Sequence, residues 1–521
     1  MLRRDVLRLG VGGGALGAVA ALSSCAPETV APTRVFASGV ASGLHSPAEV
    51  VLWTRVAPEK AAGNFSVTWE VATDDTFSTV VATGTETATA ATDYTVKVLA
   101  GGLVADRSYW YRFRHPGEDS TVGRARTLPL PGAATTSLKL AFSSCQAYNS
   151  GYYAAWRDVA TQDVDAVLFL GDFIYESTSI YLLGVARSGD SLTEATTLPD
   201  YRTKYRLYRS DPDLQAAQAA HPFVPIWDDH EIRNDYDSTI FSTDPTRAAA
   251  AYQAWFEYQP VWPISGNRIY RDLPWGSVGH VFMLDTRQYR DAHRGGALPF
   301  GTREISSYET ASGRSIMGVD QRQWLLDGLT AAQGASAWKI IGNQVMIAPL
   351  RVLDEDTPAA RLADPSLPTH AGLYTNTNFD SWDGYTWERD LVLSHLATQG
   401  IDNTVFVTGD YHSFWQAGLT PDYDNPTAPL VANEFAAGAI SSGGGAFAEN
   451  NLYGNGANGP YTPGFNYIDT LRNGYGLLEA TAGQLTVSYH ANSALSRSAL
   501  PVESARFTLQ SGDPQVQVQV L

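Results

Sequence analysis

Residues 167–176 read VLFLGDFIYE, residues 224–235 read VPIWDDHEIRND and residues 405–415 read VFVTGDYHSFW. Each is an apolar run of the kind that forms a buried strand, ending directly in an acidic residue or an acidic–histidine pair. Asp172 ends the first, Asp229, His230 and Glu231 end the second, and Asp410 with His412 ends the third. A fourth run, LKLAFSSCQ (138–146), ends in Cys145. In open α/β sheets, ligands bind just beyond the carboxyl ends of the strands. Four strands are therefore expected to bring Cys, Asp and His side chains to one rim, with Tyr175 and Asn234 close by. The pattern predicts a metal site of catalytic character.

Outward from these islands, strands and helices alternate. Strands are predicted at 138–142, 166–170, 224–227, 281–284, 338–341 and 404–408. Helical periodicity covers 152–162, 200–221, 245–259, 320–332 and 387–400. Such alternation predicts a largely parallel sheet with helices on its faces. The stretch from Phe36 to Leu128 differs: FSVTWEVATD, TVVATGTETATA, YTVKVLA and SYWYRFRHP alternate apolar and polar residues between turn residues. Short alternating runs of this kind predict a β-sandwich of immunoglobulin or fibronectin type III size. A Pro/Gly/Ser/Thr linker (128–137) separates the two regions, and a terminal β region is expected from Leu477 onward. The Asn-, Gly- and Pro-rich stretches near 420–466 read as long surface loops.

The chain has 521 residues, 44% apolar and 11% aromatic, enough for two domains with sizeable cores. It opens on a leader with Arg3 and Arg4, a short apolar segment and Cys25. That combination resembles a twin-arginine signal, which exports folded proteins, and is too short to span a membrane. Leu22, Ser23, Ser24 and Cys25 resemble a lipobox, with Cys25 as the lipidated residue; cleavage nearby that discards Cys25 is the alternative. Only Cys25 and Cys145 are cysteines, so a chain that loses or lipidates Cys25 carries one thiol and forms no internal disulfide. Metal ligation would give Cys145 a reason to persist; a plain core cysteine is the other reading. The formal charge of −18 falls to near −20 without residues 1–24. This argues against a nucleic-acid binder, which needs a basic patch.

The 224–235 island holds Asp228, Asp229, His230, Glu231, Asn234 and Asp235 within eight residues. It is not a zincin helix, because position 234 is Asn where HExxH needs His. Carboxylates and an amide suit Ca²⁺ or Mg²⁺, whereas thiolate and imidazole suit a transition metal. Tyr175 can approach the ion held by Asp172 or can simply pack beneath it. No Walker A motif and no GxSxG elbow occur, and GAISSGGGAF (438–447) lacks a P-loop lysine. Arg157, Arg287 and Arg290 are candidate phosphate clamps, since guanidinium matches phosphate oxygens in a fork; each also reads as an ordinary structural arginine.

Taken in order, FSSCQ, GDFIYE, WDDHE followed by ND, LDTRQYR, SWDGYTWER and VTGDYHSFW resemble the successive motifs of the alkaline phosphatase D (PhoD) family of metallophosphoesterases. The resemblance covers nearly the whole chain after the leader. It implies an α/β (α+β) metallophosphoesterase-like sandwich with mixed β-sheets flanked by helices (135–521). An all-β immunoglobulin- or fibronectin-like domain (33–128) would precede it, after a leader at 1–25. It further implies one ferric ion (Fe3+) and two calcium ions (Ca2+). Cys145 and Tyr175 would bind iron and Asp172 would bridge iron to calcium. Asp229 and Asn234 would ligate calcium, and Asp410 with His412 would complete the cluster, the ion they serve being left open. Asp172, Asp229, His230, Asn234, Asp410 and His412 make up the expected catalytic set. The implied activity is hydrolysis of a small phosphate ester, monoester or diester, by metal-activated water in an exported protein read as a monomer. A phospholipase D-like phosphodiesterase and a calcium-dependent surface binding protein without turnover are the rival readings.

Overall fold

In the computed structural model, strands Leu138–Ser143, Ala166–Phe169 and Phe223–Pro225 pair in parallel, Leu168 lying opposite Phe142 and Val224. Ala166–Phe169 and Phe223–Pro225 are apolar on both faces, as strands covered on two sides must be, whereas Leu138–Ser143 carries the half-buried Lys139. The structure describes residues 35–57, 63–177, 187–191, 193–292, 302–303, 305–352, 373–375, 379–423, 425, 427–443 and 464–521. The expected leader, with Arg3, Arg4 and Cys25, lies outside the described residues.

The parallel trio is one edge of a seven-stranded sheet. Its other four strands are the antiparallel run Asn473–Ala480, Gln484–Asn492, Val502–Gln510 and Asp513–Val520. A second seven-stranded sheet has a parallel centre, Gly279–Met283, Trp338–Gly342, Thr404–Thr408 and Ala432–Ala436. Antiparallel strands Arg271–Trp275, Phe414–Leu419 and Phe465–Asp469 complete it. One core takes residues from both sheets, Phe142, Val167 and Val487 from the first and Val281, Ile340, Val405 and Phe435 from the second. The two sheets thus face each other across a shared apolar layer.

The mixed sheets that the resemblance implies are present; the largely parallel sheet expected from strand–helix alternation is not, because the antiparallel strands are fed by hairpins that carry no helical signal. The loop reading of 420–466 is also corrected. Ala432–Ala436 lies there, fully buried in the second sheet, and a run of five residues without regular alternation gives little strand signal. The single helix expected over 200–221 is two, Leu198–Tyr208 and Pro212–Ala220. Pro212 cannot continue a helix from the preceding turn, and Asp211 caps the second one by accepting from the amides of Asp213 and Leu214.

Ahead of these sheets, Val40–Leu44, Val50–Arg55 and Thr95–Ala100 form a three-stranded antiparallel sheet. Phe65–Ala72, Val80–Ala88 and Ser108–His115 centre a five-stranded one. A shared core joins Leu52, Val96 and Val98 of the first to Val67, Tyr111 and Phe113 of the second. This pair packs on the larger body. Trp53 donates its indole N–H to the Glu257 carbonyl, and the Arg209 guanidinium lies 3.8 Å above the Trp53 ring and 5.3 Å from the Phe173 ring. Asp93 receives Arg206 at 2.7 Å. Among the described residues, no helix is long and apolar enough to cross a membrane.

Candidate metal centre

The carboxyl ends of strands from both sheets converge. Cys145 follows Leu138–Ser143, Asp172 follows Ala166–Phe169, Asp228 and Asp229 follow Phe223–Pro225, and Asp410 follows Thr404–Thr408. Leaving a strand and presenting a donor immediately requires a sharp bend. Five non-glycine residues there, Cys145, Asp172, Asp235, Asp410 and His412, take left-handed φ values of 54–65°. A non-glycine residue in that region costs roughly 1–2 kcal/mol, and strain of this kind gathers at functional sites. Gly171 completes one bend. Its φ is 111°, and a Cβ there would come within 2.3 Å of the Asp228 Cβ.

The donors fall into groups whose ligand atoms lie within 4.8 Å of one another: Cys145, Asp172 and His412; Asp172, Asp229 and His230; Asp228, Asp229 and Asp410; Asp229, Asp235 and Asp380. Asp172 and Asp229 belong to more than one group, so the set is continuous. His412 donates from Nδ1 to the Gly443 carbonyl at 3.0 Å, leaving Nε2, which lies 3.2 Å from the Tyr175 hydroxyl. Ser442 donates to that hydroxyl at 2.7 Å, and Ser144 donates to the Cys145 sulfur at 3.0 Å. His230 is held by Glu176, its Nδ1 lying 2.6 Å from a carboxylate oxygen, and its ring sits 4.1 Å from that of Tyr175. Fixing one ring nitrogen in this way selects the tautomer of the other.

The electrostatics call for positive charge. Burial, then the carboxylates of Asp172 and Asp410, push the Cys145 thiol well up. Burial also pushes the Tyr175 phenol up, with Asp172 adding to it. Asp172 and Asp410 are raised by burial and by neighbouring carboxylates, and Asp228 is raised to about 6. His412 is lowered to about 4 by burial. For Asp229, burial is outweighed by Arg287 and His230, which hold its carboxyl below the usual range. A bound cation would reverse the upward shifts, since it is the largest local charge wherever it sits. One buried oxygen, Asp228 Oδ2, has no hydrogen-bond partner among the described residues. The residues present therefore fit a metal cluster: a mixed thiol, phenol, imidazole and carboxylate set, crowded with like charge.

Cys145, Asp172, Tyr175, Asp229, His230, Asp410 and His412 are thus brought together. Asn234 is exposed on the loop beyond, its backbone N–H donating to Glu176 at 3.0 Å. The three arginines stand differently from open phosphate clamps. Arg287 is fully buried, paired with Asp228 and with Asp380 at 2.7 Å, and its Nη2 lies 3.8 Å from Asp229 and 3.9 Å from Asp410. Arg290 is equally buried and donates to Asp380 at 2.7 Å. Arg157 donates to the Arg497 carbonyl at 2.5 Å and lies 3.8 Å from Asp213, away from the donor set. Arg287 and Arg290 are counter-ions beneath the carboxylates. Asp380 escapes sequence reading because no long apolar run leads into it, and its signal is proximity to the SWDGY motif.

Comparison with known proteins gives the family. The PhoD-like phosphatase family matches residues 140–489 and the PhoD-like phosphatase N-terminal domain matches residues 22–129. Alkaline phosphatase D of Bacillus subtilis is 35% identical over 429 residues, covering 78% of this chain and 70% of that protein. A solved structure described as that of PhoD superposes with a TM-score of 0.82 at 32% identity, covering 93% of this chain and 92% of the other. With family matches that span both regions of the chain, a relative of this identity and a superposition of this extent, the chain belongs to the PhoD-like phosphatase family and is a phosphatase hydrolase.

Proposed function

We propose that this phosphatase is an exported, metal-dependent phosphoesterase that hydrolyses phosphomonoesters, phosphodiesters or both. The observation that carries the metal requirement is the continuous donor set: Asp172 joins a buried thiol and imidazole to Asp229 and His230, and Asp229 continues into two purely carboxylate groups. Thiolate and imidazole donors suit a transition metal, for which we propose iron, and hard carboxylates suit calcium. Cys145, Tyr175 and His412 would hold iron, and Asp172 would be shared. Asp229, Asn234 and Asp410 would hold two calcium ions. The grouping of His412 with Cys145, and of Asp410 with Asp228 and Asp229, supports this division.

When bound, such ions supply Lewis acidity at the phosphoryl group and an acidified water. The chain's own residues do the rest. Glu176 fixes Nδ1–H of His230 and raises the basicity of the ring, so the other nitrogen can carry a proton to the departing oxygen. Arg287 and Arg290 keep Asp228 and Asp380 ionised and in place. The bends at Cys145, Asp172 and Asp410 hold the donors before substrate arrives, so little reorganisation accompanies reaction.

Residues 33–128 we read as an immunoglobulin- or fibronectin-like module bracing the catalytic region 135–521. The leader we read as a twin-arginine signal, with Cys25 as a lipid anchor and the chain as a monomer in the cell envelope or medium. The test is turnover of a chromogenic monoester and diester by the purified chain before and after chelation, with elemental analysis. Turnover that is lost on chelation and restored by iron and calcium supports the reading. Undiminished turnover by metal-free protein rejects it.

A further inference from the structure

Glu231 sits in the densest island but belongs to none of the donor groups, and it is 1% exposed. Its carboxylate is fully occupied by main chain. One oxygen accepts from the amide of Asp172 at 3.0 Å and from the amide of Asp228 at 2.9 Å. The other accepts from the amide of Phe173 at 2.6 Å. The three amides come from two loops, one carrying Asp172 and the other Asp228 and Asp229. These loops leave neighbouring parallel strands, Ala166–Phe169 and Phe223–Pro225, whose ladder ends at Phe169 and Pro225. Beyond that point the strands no longer hold the loops in register, and the Glu231 carboxylate takes over.

A carboxylate accepting several main-chain N–H bonds makes strong, directional contacts in a dry site. The bend at Asp172 is left-handed and costly, so it persists only if its surroundings over-determine it. Gly171, pressed against Asp228, lets the loops come close enough for one side chain to reach both. Asp172 and Asp229 are the residues shared between donor groups, so the spacing between their loops sets how the whole set is presented.

We propose that Glu231 is a positioning residue that locks the two donor-bearing loops to each other, presenting Asp172 and Asp229 as a preformed pair for metal. This rests on the metal reading above, but the lock itself is a property of the metal-free chain. A second buried carboxylate gives a matched control: Glu388 accepts from the amides of Ile316 and Met317 at 2.6 and 3.0 Å, on a segment that carries no donor.

The experiment compares Glu231→Gln and Glu388→Gln in the full chain. Hydrogen–deuterium exchange of metal-free protein is followed on peptides covering 168–176 and 226–235, and calcium affinity is measured by titrating calcium chloride into chelated protein. Replacing one acceptor oxygen of Glu231 with an amide N–H should speed exchange in both loops together, and calcium affinity should fall at least tenfold. Glu388→Gln should leave both loops and the affinity unchanged. The proposal is overturned if Glu231→Gln alters one loop only, if it keeps full calcium affinity, or if Glu388→Gln matches its effects. Failure of the unsubstituted chain to bind calcium removes the metal reading and this role with it. Normal calcium binding by the unsubstituted chain, with loops that exchange independently in Glu231→Gln, overturns the lock alone.

Discussion

The hydroxyl of Tyr175 lies 3.2 Å from Nε2 of His412, although 237 positions separate the two residues. Tyr175 comes from the loop after a strand of the first sheet, and His412 from the loop after a strand of the second. The contact therefore measures how closely the two sheets bring their ends together, and it puts the phenol beside the thiol–imidazole group.

If that group holds a ferric ion, the phenol gives the protein visible colour. Tyr175→Phe should abolish the absorption band while the ring still packs on His230. Loss of a group that tunes a metal ligand typically costs 10–100-fold in activity or affinity, and a fall of about that size in kcat/KM is expected. Absorption spectra and steady-state kinetics of iron-loaded protein check this.

Stability of the metal-free protein should fall as pH rises. Asp172 and Asp410 have folded pKa values raised by burial and by neighbouring carboxylates. A carboxyl raised in this way contributes stability that is fully present below its unfolded value of about 4 and is lost as pH climbs through the folded value. Between about pH 5 and 9 the Tm of chelated protein should drop by about 5 °C or more. Calcium should flatten the curve by satisfying the carboxylates. Thermal melts across this range, with and without metal, provide the check; a chelated protein that gains stability toward alkaline pH would contradict the assignment.

Arg287 is the buried counter-ion of Asp228 and Asp380. Removing one partner of a buried ion pair costs about 3–5 kcal/mol, so Arg287→Met should lower stability by that amount in denaturant unfolding. Arg287→Lys should recover only part of it, because an ammonium cannot fork between two carboxylates.

Gly171→Ala tests the close approach of the two loops. The new Cβ would meet Asp228 at 2.3 Å in a backbone region that alanine avoids. Overpacking of this kind costs about 1–3 kcal/mol. The variant should melt earlier and, where it folds, take up less metal by elemental analysis.

Much of the site was legible because each donor ends an apolar run. Asp172, Asp229 and Asp410 follow strands that are apolar on both faces, and that signal survives without knowledge of the sheet. The arginines were less legible. LDTRQYR places Arg287 and Arg290 beside the site, but sequence spacing does not distinguish a guanidinium facing substrate from one beneath carboxylates. No long apolar run leads into Asp380, so no periodicity marked it. In the fold, strand Val50–Arg55 shows no alternation because it is buried throughout, and the antiparallel edges come from hairpins rather than helical crossovers.

The strand-end donors are proposed to hold the metals with which this chain cleaves phosphate esters. Asp172→Ala tests it most directly, because Asp172 links the thiol group to Asp229 and His230, and through Asp229 to the carboxylate groups. Activity against a chromogenic diester and metal content should be measured together in the folded variant. Loss of metal is expected, with at least about a thousandfold loss of turnover, roughly 4 kcal/mol of transition-state stabilisation. Full activity in Asp172→Ala, with or without metal, would contradict it.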